Sequence, residues 1–294
     1  MTDAAAAVPS QARASPFRVL AGQWRAVLGR MYVQFNDDRL MAIAGGVVFY
    51  ALLALVPAIT TLVSLYGLFA DPETVAHHLA SIRDVIPAAA YGIVEDQVKR
   101  AASIGTTQLG VASVAGLLFA MWSANMGTKA IIDALNVVYG VKDERSFVRY
   151  NLLSLGITLG AIAVLILVIA AVVAVPLVLA AAGIAEVGWL DGLRWPLLVG
   201  LVAAMLAVLY RFGASRTDYA WGSLLIGVGV ATVAWLASSM LFSWYLANFA
   251  NYNAIYGSLG AVVGLMMWMW ISTLVILLGA ELEAQLERLA RQDA

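Results

Sequence analysis

Few residues in this chain could do chemistry, and their spacing limits what they can do. His77 and His78 are the only histidines. Neighbours on a helix project about 100° apart, so these two are poorly placed to share one metal ion and read as solvated loop residues. Hydrolytic phosphodiester chemistry calls for clustered carboxylates around Mg²⁺. Asp133, Asp143, Glu144 and Asp218 are instead scattered among basic residues. No HExxH, GxSxG, Walker A or GxGxxG pattern occurs, and there is no cysteine. Thiolate nucleophiles and Cys-ligated metal centres are therefore excluded. No catalytic residue, metal site or cofactor is expected.

The remaining candidates belong to binding. Lys129 and Asp133 are four apart and could pair on one helix face. Arg145 and Arg149 follow on the same side and could meet a charged headgroup at a rim. Pro57 interrupts an apolar run and frees the carbonyl of Leu53, which gives either a simple kink or the edge of a groove. Asn125, Asn136 and Tyr256 could line such a groove with Pro57. Glu281 ends the apolar run Leu277–Ala280 and reads as an interfacial carboxylate capped by a neighbouring arginine.

The elements that must position these residues are apolar. Hydrophobic residues make up 63% of the 294 and charged residues 12%, and mean hydropathy is +0.88. That excludes a soluble globular enzyme and a disordered chain. The net charge of −1 offers no nucleic-acid footprint. Charge-free runs of 31, 28, 36 and 16 residues follow Arg39, Arg100, Arg149 and Arg194, and a run of 62 follows Asp218. A spanning helix needs about 20 apolar residues. The spacing predicts an all-α polytopic membrane protein with six spans, at about 41–69, 109–128, 150–182, 195–212, 219–247 and 256–281. The turn in the last run is the polar cluster Asn248–Asn253.

Orientation follows from the basic residues. Thirteen lie on the side of the termini and four (Arg83, Lys99, Arg100, Arg194) on the other. The positive-inside rule places both termini in the cytoplasm. Residues 1–16 lack an apolar stretch, so a disordered tail is expected and no cleaved signal peptide. Residues 17–38 form an amphipathic helix carrying Phe17, Leu20, Trp24, Val27, Leu28, Met31 and Phe35. Two readings stand: it lies in the cytoplasmic interface, or it packs on the underside of the bundle. The six-helix membrane domain fills 39–294. Between spans one and two, the stripes Val75–Ile86 and Tyr91–Ala101 predict two short extracytoplasmic helices that shield helix ends or act as a lid.

The spans hold no ionisable residue at their centres, which argues against a proton-driven antiporter or pump. Pro176 gives span three its own kink. Gly156–Gly160 and Gly260–Gly264 have GxxxG spacing and are expected to serve packing within the chain. Trp189, Trp195, Trp244 and Tyr245 fit an aromatic belt. Trp235, Trp268 and Trp270 are too deep for one and should fill the bundle or face acyl chains.

Three segments carry a resemblance. Asp37-Asp38 through Tyr50 to Pro57 resembles the first span of the YihY/virulence factor BrkB family. Ala134-Leu135-Asn136-Val-Val-Tyr139 resembles its segment after helix two. Tyr256-Gly257-Ser-Leu-Gly-Ala-Val and Leu278-Gly279-Ala280-Glu281-Leu282 resemble its last span. The likeness covers about residues 25–287, with departures at Ala54 and in the proline-free loop Gly213–Asp218. It implies a six-helix bacterial inner-membrane protein whose molecular role is poorly defined. The family once carried the label ribonuclease BN, now regarded as a misassignment. The name virulence factor came through serum resistance, and envelope or lipid export has been suggested.

The expected function is transporter-like movement of a lipid or other amphipathic envelope component, with membrane lipids as partners. The alternative is a non-transporting envelope-integrity scaffold that binds envelope proteins. A ribonuclease is a distant third, and nucleic acid is not an expected partner. Oligomeric state is not legible.

Overall fold

The computed structural model describes residues 16–69, 106–169, 188–216, 220–248 and 260–292. These residues are helical, with short connections. We label the helices α1 (Pro16–Asp37), α2 (Leu40–Phe69), α3 (Thr106–Tyr139), α4 (Phe147–Ile169), α5 (Gly188–Phe212), α6 (Trp221–Asn248) and α7 (Gly260–Gln292). Phe147–Leu167, Trp221–Leu246 and Val262–Ala290 are long and apolar enough to cross a membrane. The bent pair formed by Gln23–Asp37 and Leu40–Leu55 would make a fourth. The segment expected to hold two external helices, with His77 and His78, lies outside the described residues, as do Pro176, Asp218, the turn through Asn253, and Tyr256.

Each of the six expected spans has a helix, but some helix ends lie well beyond the charge-defined span. The second span was expected to stop at 128, yet α3 runs on to Tyr139. A charge marks the edge of an apolar run without ending a helix. Ile132, Leu135 and Val138 continue the buried face of α3 past Lys129, each with no exposed surface. Gly140 then ends it at φ +66, with Val141 N–H donating to the Asn136 carbonyl (2.9 Å), the hydrogen bond of a glycine C-cap. Likewise α7 continues past Glu281 to Gln292.

A pronounced bend occurs away from any proline. Helix α2 passes through Pro57 unbroken, whereas α1 and α2 meet at a 60° bend. Arg39 sits in that corner at φ +52, unusual for a residue with a side chain. Gln34 Nε2 donates to Asp38 Oδ1 (2.9 Å) on its inner side. Helix α1 packs on α7 through Val27, which lies fully buried against Leu282, Leu286 and Leu289 with Met31 beside it. Trp24, Leu28, Tyr32 and Val33 stay exposed. One edge of α1 is docked on the bundle while another carries exposed apolar surface.

The core lies toward one end of the bundle. Leu40 of α2, Leu135 of α3, Ile157 of α4, Leu206 and Tyr210 of α5, Leu224 of α6 and Leu277 of α7 form one buried cluster. By contrast Leu152, Leu165, Leu225, Val233, Met240 and Leu241 face outward. The deep tryptophans join helices. Trp235 Nε1 donates to Ser272 Oγ (3.0 Å), Trp268 Nε1 to Ser239 Oγ (3.2 Å) and Trp270 Nε1 to the Met41 carbonyl (3.1 Å). A buried indole N–H needs such an acceptor.

Helices α6 and α7 touch where side chains vanish. A Cβ on Gly279 would lie 2.5 Å from the Ala231 Cβ and 2.6 Å from the Tyr210 hydroxyl. Gly264 has room, its nearest neighbour 3.9 Å away. Gly279→Ala is therefore expected to lower the thermal midpoint in detergent, by the about 1–3 kcal/mol typical of overpacking. Gly264→Ala should leave the midpoint near that of the wild type.

Candidate functional site

The helix ends bring polar residues together. The loop between α3 and α4 folds back through Asp143 and Arg145. Arg145 Nε and Nη2 donate to the two Asp143 carboxylate oxygens at 2.8 and 2.7 Å. Nη2 also donates to the Gly213 carbonyl (2.7 Å) and Nη1 to the Phe212 carbonyl (3.2 Å). One guanidinium thus caps the C-terminus of α5, where cations are favoured. Asn136 is buried and completes the clasp. Its Nδ2 donates to Asp143 Oδ2 (3.1 Å), and its Oδ1 accepts from Ser215 N–H (2.8 Å). The hydrogen bonds from Arg145 hold the Asp143 carboxyl below its ordinary range.

Arg216 follows Ser215 in the α5–α6 connection and is buried. Nη2 donates to Glu283 Oε1 and to the Tyr210 carbonyl (3.2 Å), and Nη1 lies 3.4 Å from Glu287 Oε2. Its guanidinium carbon sits 4.0 Å from the centre of the Tyr139 ring, a cation–π contact. Tyr139 donates its hydroxyl to Glu283 Oε2 (2.7 Å). Burial, and then the adjacent Glu283 charge, push the Tyr139 phenol well above its usual value, so it stays a donor. Arg288 Nη2 donates to the Val138 carbonyl (3.0 Å), joining α7 to the end of α3.

Beside this network opens a cavity of about 630 Å³ between α4 and the end of α5. Arg145, Arg149, Arg211 and Arg216 line it with Ser146 and Ser215, and no carboxylate does among the described residues. Ser146 caps α4, its Oγ 3.4 Å from the Arg149 N–H. Leu152, Leu153 and Phe212 continue from this cavity into a second cleft of about 290 Å³ along α4 and α5. That cleft is apolar, floored by Gly156 and Gly160. A Cβ on either glycine would meet nothing within 4 Å. The spacing expected to pack helices together here leaves a gap: Met205, Val208 and Phe212 of α5 line the cleft, and no atom comes within 4 Å of a Cβ placed on either glycine.

The other candidate residues are dispersed. Lys129 and Asp133 each find a partner on α4. Lys129 Nζ donates to Asn151 Oδ1 (2.7 Å), and Asp133 Oδ1 accepts from the Tyr150 hydroxyl (2.9 Å). Glu281 is fully buried at the α1–α2 corner side of α7. Gln285, not an arginine, caps its Oε1 (2.6 Å), and its Oε2 has no partner among the described residues. Asn125 Oδ1 is also buried without a partner there. Neither cleft described above is lined by Pro57, Asn125 or Asn136. Reasoning from charge-free runs passed over Arg216, Glu283 and Tyr139. The spacing Glu283–Glu287 was the available signal, a four-residue acidic repeat continuing an apolar helix.

Two outcomes follow. Glu283→Ala leaves the Arg216 guanidinium buried opposite a hole and should cost about 3–5 kcal/mol, read as a lost folded fraction in detergent. Glu283→Gln should cost less. The Asp143 carboxyl is depressed in the folded chain, so its contribution is present above the ordinary carboxylate range and lost as pH falls through the depressed value. Thermal unfolding of the wild type should therefore lose an acid-dependent increment that Asp143→Asn lacks.

A family model described as Virulence factor BrkB matches residues 31–294. The ribonuclease-like protein YfkH of Bacillus subtilis is 30% identical over 258 residues, covering 82% of this chain and 87% of that protein. A UPF0761 membrane protein of Vibrio campbellii is 30% identical over 262 residues, 86% of this chain and 79% of the relative. Another, of Alteromonas mediterranea, is 28% identical over 276 residues, 91% and 90% of the two chains. No solved structure matches. The family match takes in the arginine-lined cavity, the apolar cleft and the Arg216–Glu283 network, and the chain belongs to the virulence factor BrkB family of membrane proteins.

Proposed function

We propose that the chain is a multi-pass bacterial inner-membrane protein that moves a lipid or other amphipathic envelope component between leaflets. The observation carrying this is the arginine-lined cavity that opens into an apolar cleft between α4 and α5. A polar pocket for a headgroup leading into an apolar strip for a tail is the arrangement an amphiphile needs. Six crossings with both termini in the cytoplasm accord with two further facts. The C-terminal ends of α3, α5 and α7 and the N-terminal end of α4 meet in one polar network. The basic residues divide thirteen to four. The cavity then opens at the cytoplasmic rim.

No enzymatic step is assigned. Asp133 and Asp143, two of the acids a nuclease would use, are engaged by Tyr150 and Arg145. The scaffold reading draws on the close α6–α7 contact at Gly227 and Gly279, which leaves that side of the bundle filled. Purified protein in liposomes distinguishes the two. A fluorescent phospholipid quenched from outside should lose its protected fraction relative to protein-free vesicles. A protected fraction equal to that of protein-free vesicles favours the scaffold.

A further inference from the structure

We propose that the α4–α5 cleft holds an anionic phospholipid, with its phosphate among the arginines and one acyl chain over Gly156 and Gly160. This rests on the preceding reading only in placing the cleft within the bilayer.

The cavity presents four guanidinium groups and two hydroxyls, without a carboxylate among the described residues of its wall. Arg145 is neutralised by Asp143, and Arg216 by Glu283 and Glu287. The Arg149 guanidinium has no side-chain partner among the described residues. A second observation points to a missing acceptor. The Arg216 side chain is only 5% exposed, yet its Nε–H, in a residue that walls the cavity, has none among the described residues. A buried charged donor left unmade is costly, and a phosphate oxygen is the acceptor that a guanidinium matches best. The Ser146-capped start of α4 adds the positive end of a 23-residue helix.

A lipid suits the site better than free phosphate because the apolar cleft continues from the cavity. From Arg149 to Gly160 is about 16 Å along a helix. That matches the ~15 Å hydrocarbon depth of one leaflet. The bare glycines leave a strip open to a methylene chain, with Ile157, Met205 and Val208 alongside. A zwitterionic headgroup would bring a cation among the arginines, so the preference is for net negative lipids.

The test measures lipid retained by the purified full-length chain in mild detergent, offered phosphatidylglycerol or phosphatidylcholine of identical acyl chains. Phosphatidylglycerol should be retained several-fold better. Arg149→Gln should bring that several-fold preference close to one, as expected for loss of one charge-assisted hydrogen bond, and Arg149→Lys should keep most of it. Gly156→Leu with Gly160→Leu should lower retention of both lipids while helicity is unchanged. Arg25→Gln, an exposed arginine on α1 over Trp24, serves as the control and should change nothing. Equal retention of the two lipids, or an unaltered preference in Arg149→Gln, overturns the assignment. So does complete displacement by millimolar inorganic phosphate, which would identify a free-anion site. Scrambling without headgroup preference removes this assignment and leaves the transport reading. Preference without scrambling supports this assignment and removes that reading.

Discussion

The Arg216–Glu283 pair is the constraint on which the polar end of the bundle depends. Both side chains are buried, at 5% and 0% exposure. Desolvating two charges is expensive, and only a full set of partners offsets it. The partners here come from separate elements: the Tyr139 hydroxyl and ring from α3, the Tyr210 carbonyl from α5 and Glu287 from α7. Moving any one of these helices exposes a charge to an empty space. The pair therefore holds α3, α5 and α7 in register. The α5–α6 loop that carries Arg216 is held again by Asn136 and Arg145. These neighbours are what position the cavity wall.

Away from that end the bundle follows different physics. Outward-facing Leu, Val and Met on α4 and α6 leave much of each helix's apolar surface unburied by the protein. In a bilayer such surface costs nothing, and helices associate through close packing and hydrogen bonds instead. Gly279 against Ala231 supplies the packing, and the indole-to-serine bonds of Trp235 and Trp268 supply the hydrogen bonds. The α4–α5 seam has few such contacts at Gly156 and Gly160, which is why the cleft lies there.

Much of this was legible in the sequence. Charge-free runs located the helices, since a long apolar stretch is itself the signal. Arg145 and Arg149 stood out as basic residues at the foot of a span, and both line the cavity. The ends of α3 and α7 were not legible from the same signal, because Lys129 and Glu281 interrupt the apolar count without interrupting the backbone hydrogen bonds. Lys129 and Asp133 have pairing spacing, yet each is satisfied across to α4, since Asn151 and Tyr150 lie in reach there. Gly156–Gly160 spacing says that a backbone can be approached closely. It does not say whether a neighbouring helix makes the approach.

The gap over Gly156 and Gly160 also bears on how the bundle responds to force. Close backbone packing resists separation, as along α6–α7 at Gly227 and Gly279. The cleft over Gly156 and Gly160 lacks that close contact, so less packing holds α4 to α5 there. Lateral pressure in a bilayer varies with lipid shape and membrane tension. Its effect is concentrated where stiffness is lowest. A change in the spacing of α4 from α5 would alter the cleft and, through the shared Leu152, Leu153 and Phe212, the wall of the arginine-lined cavity.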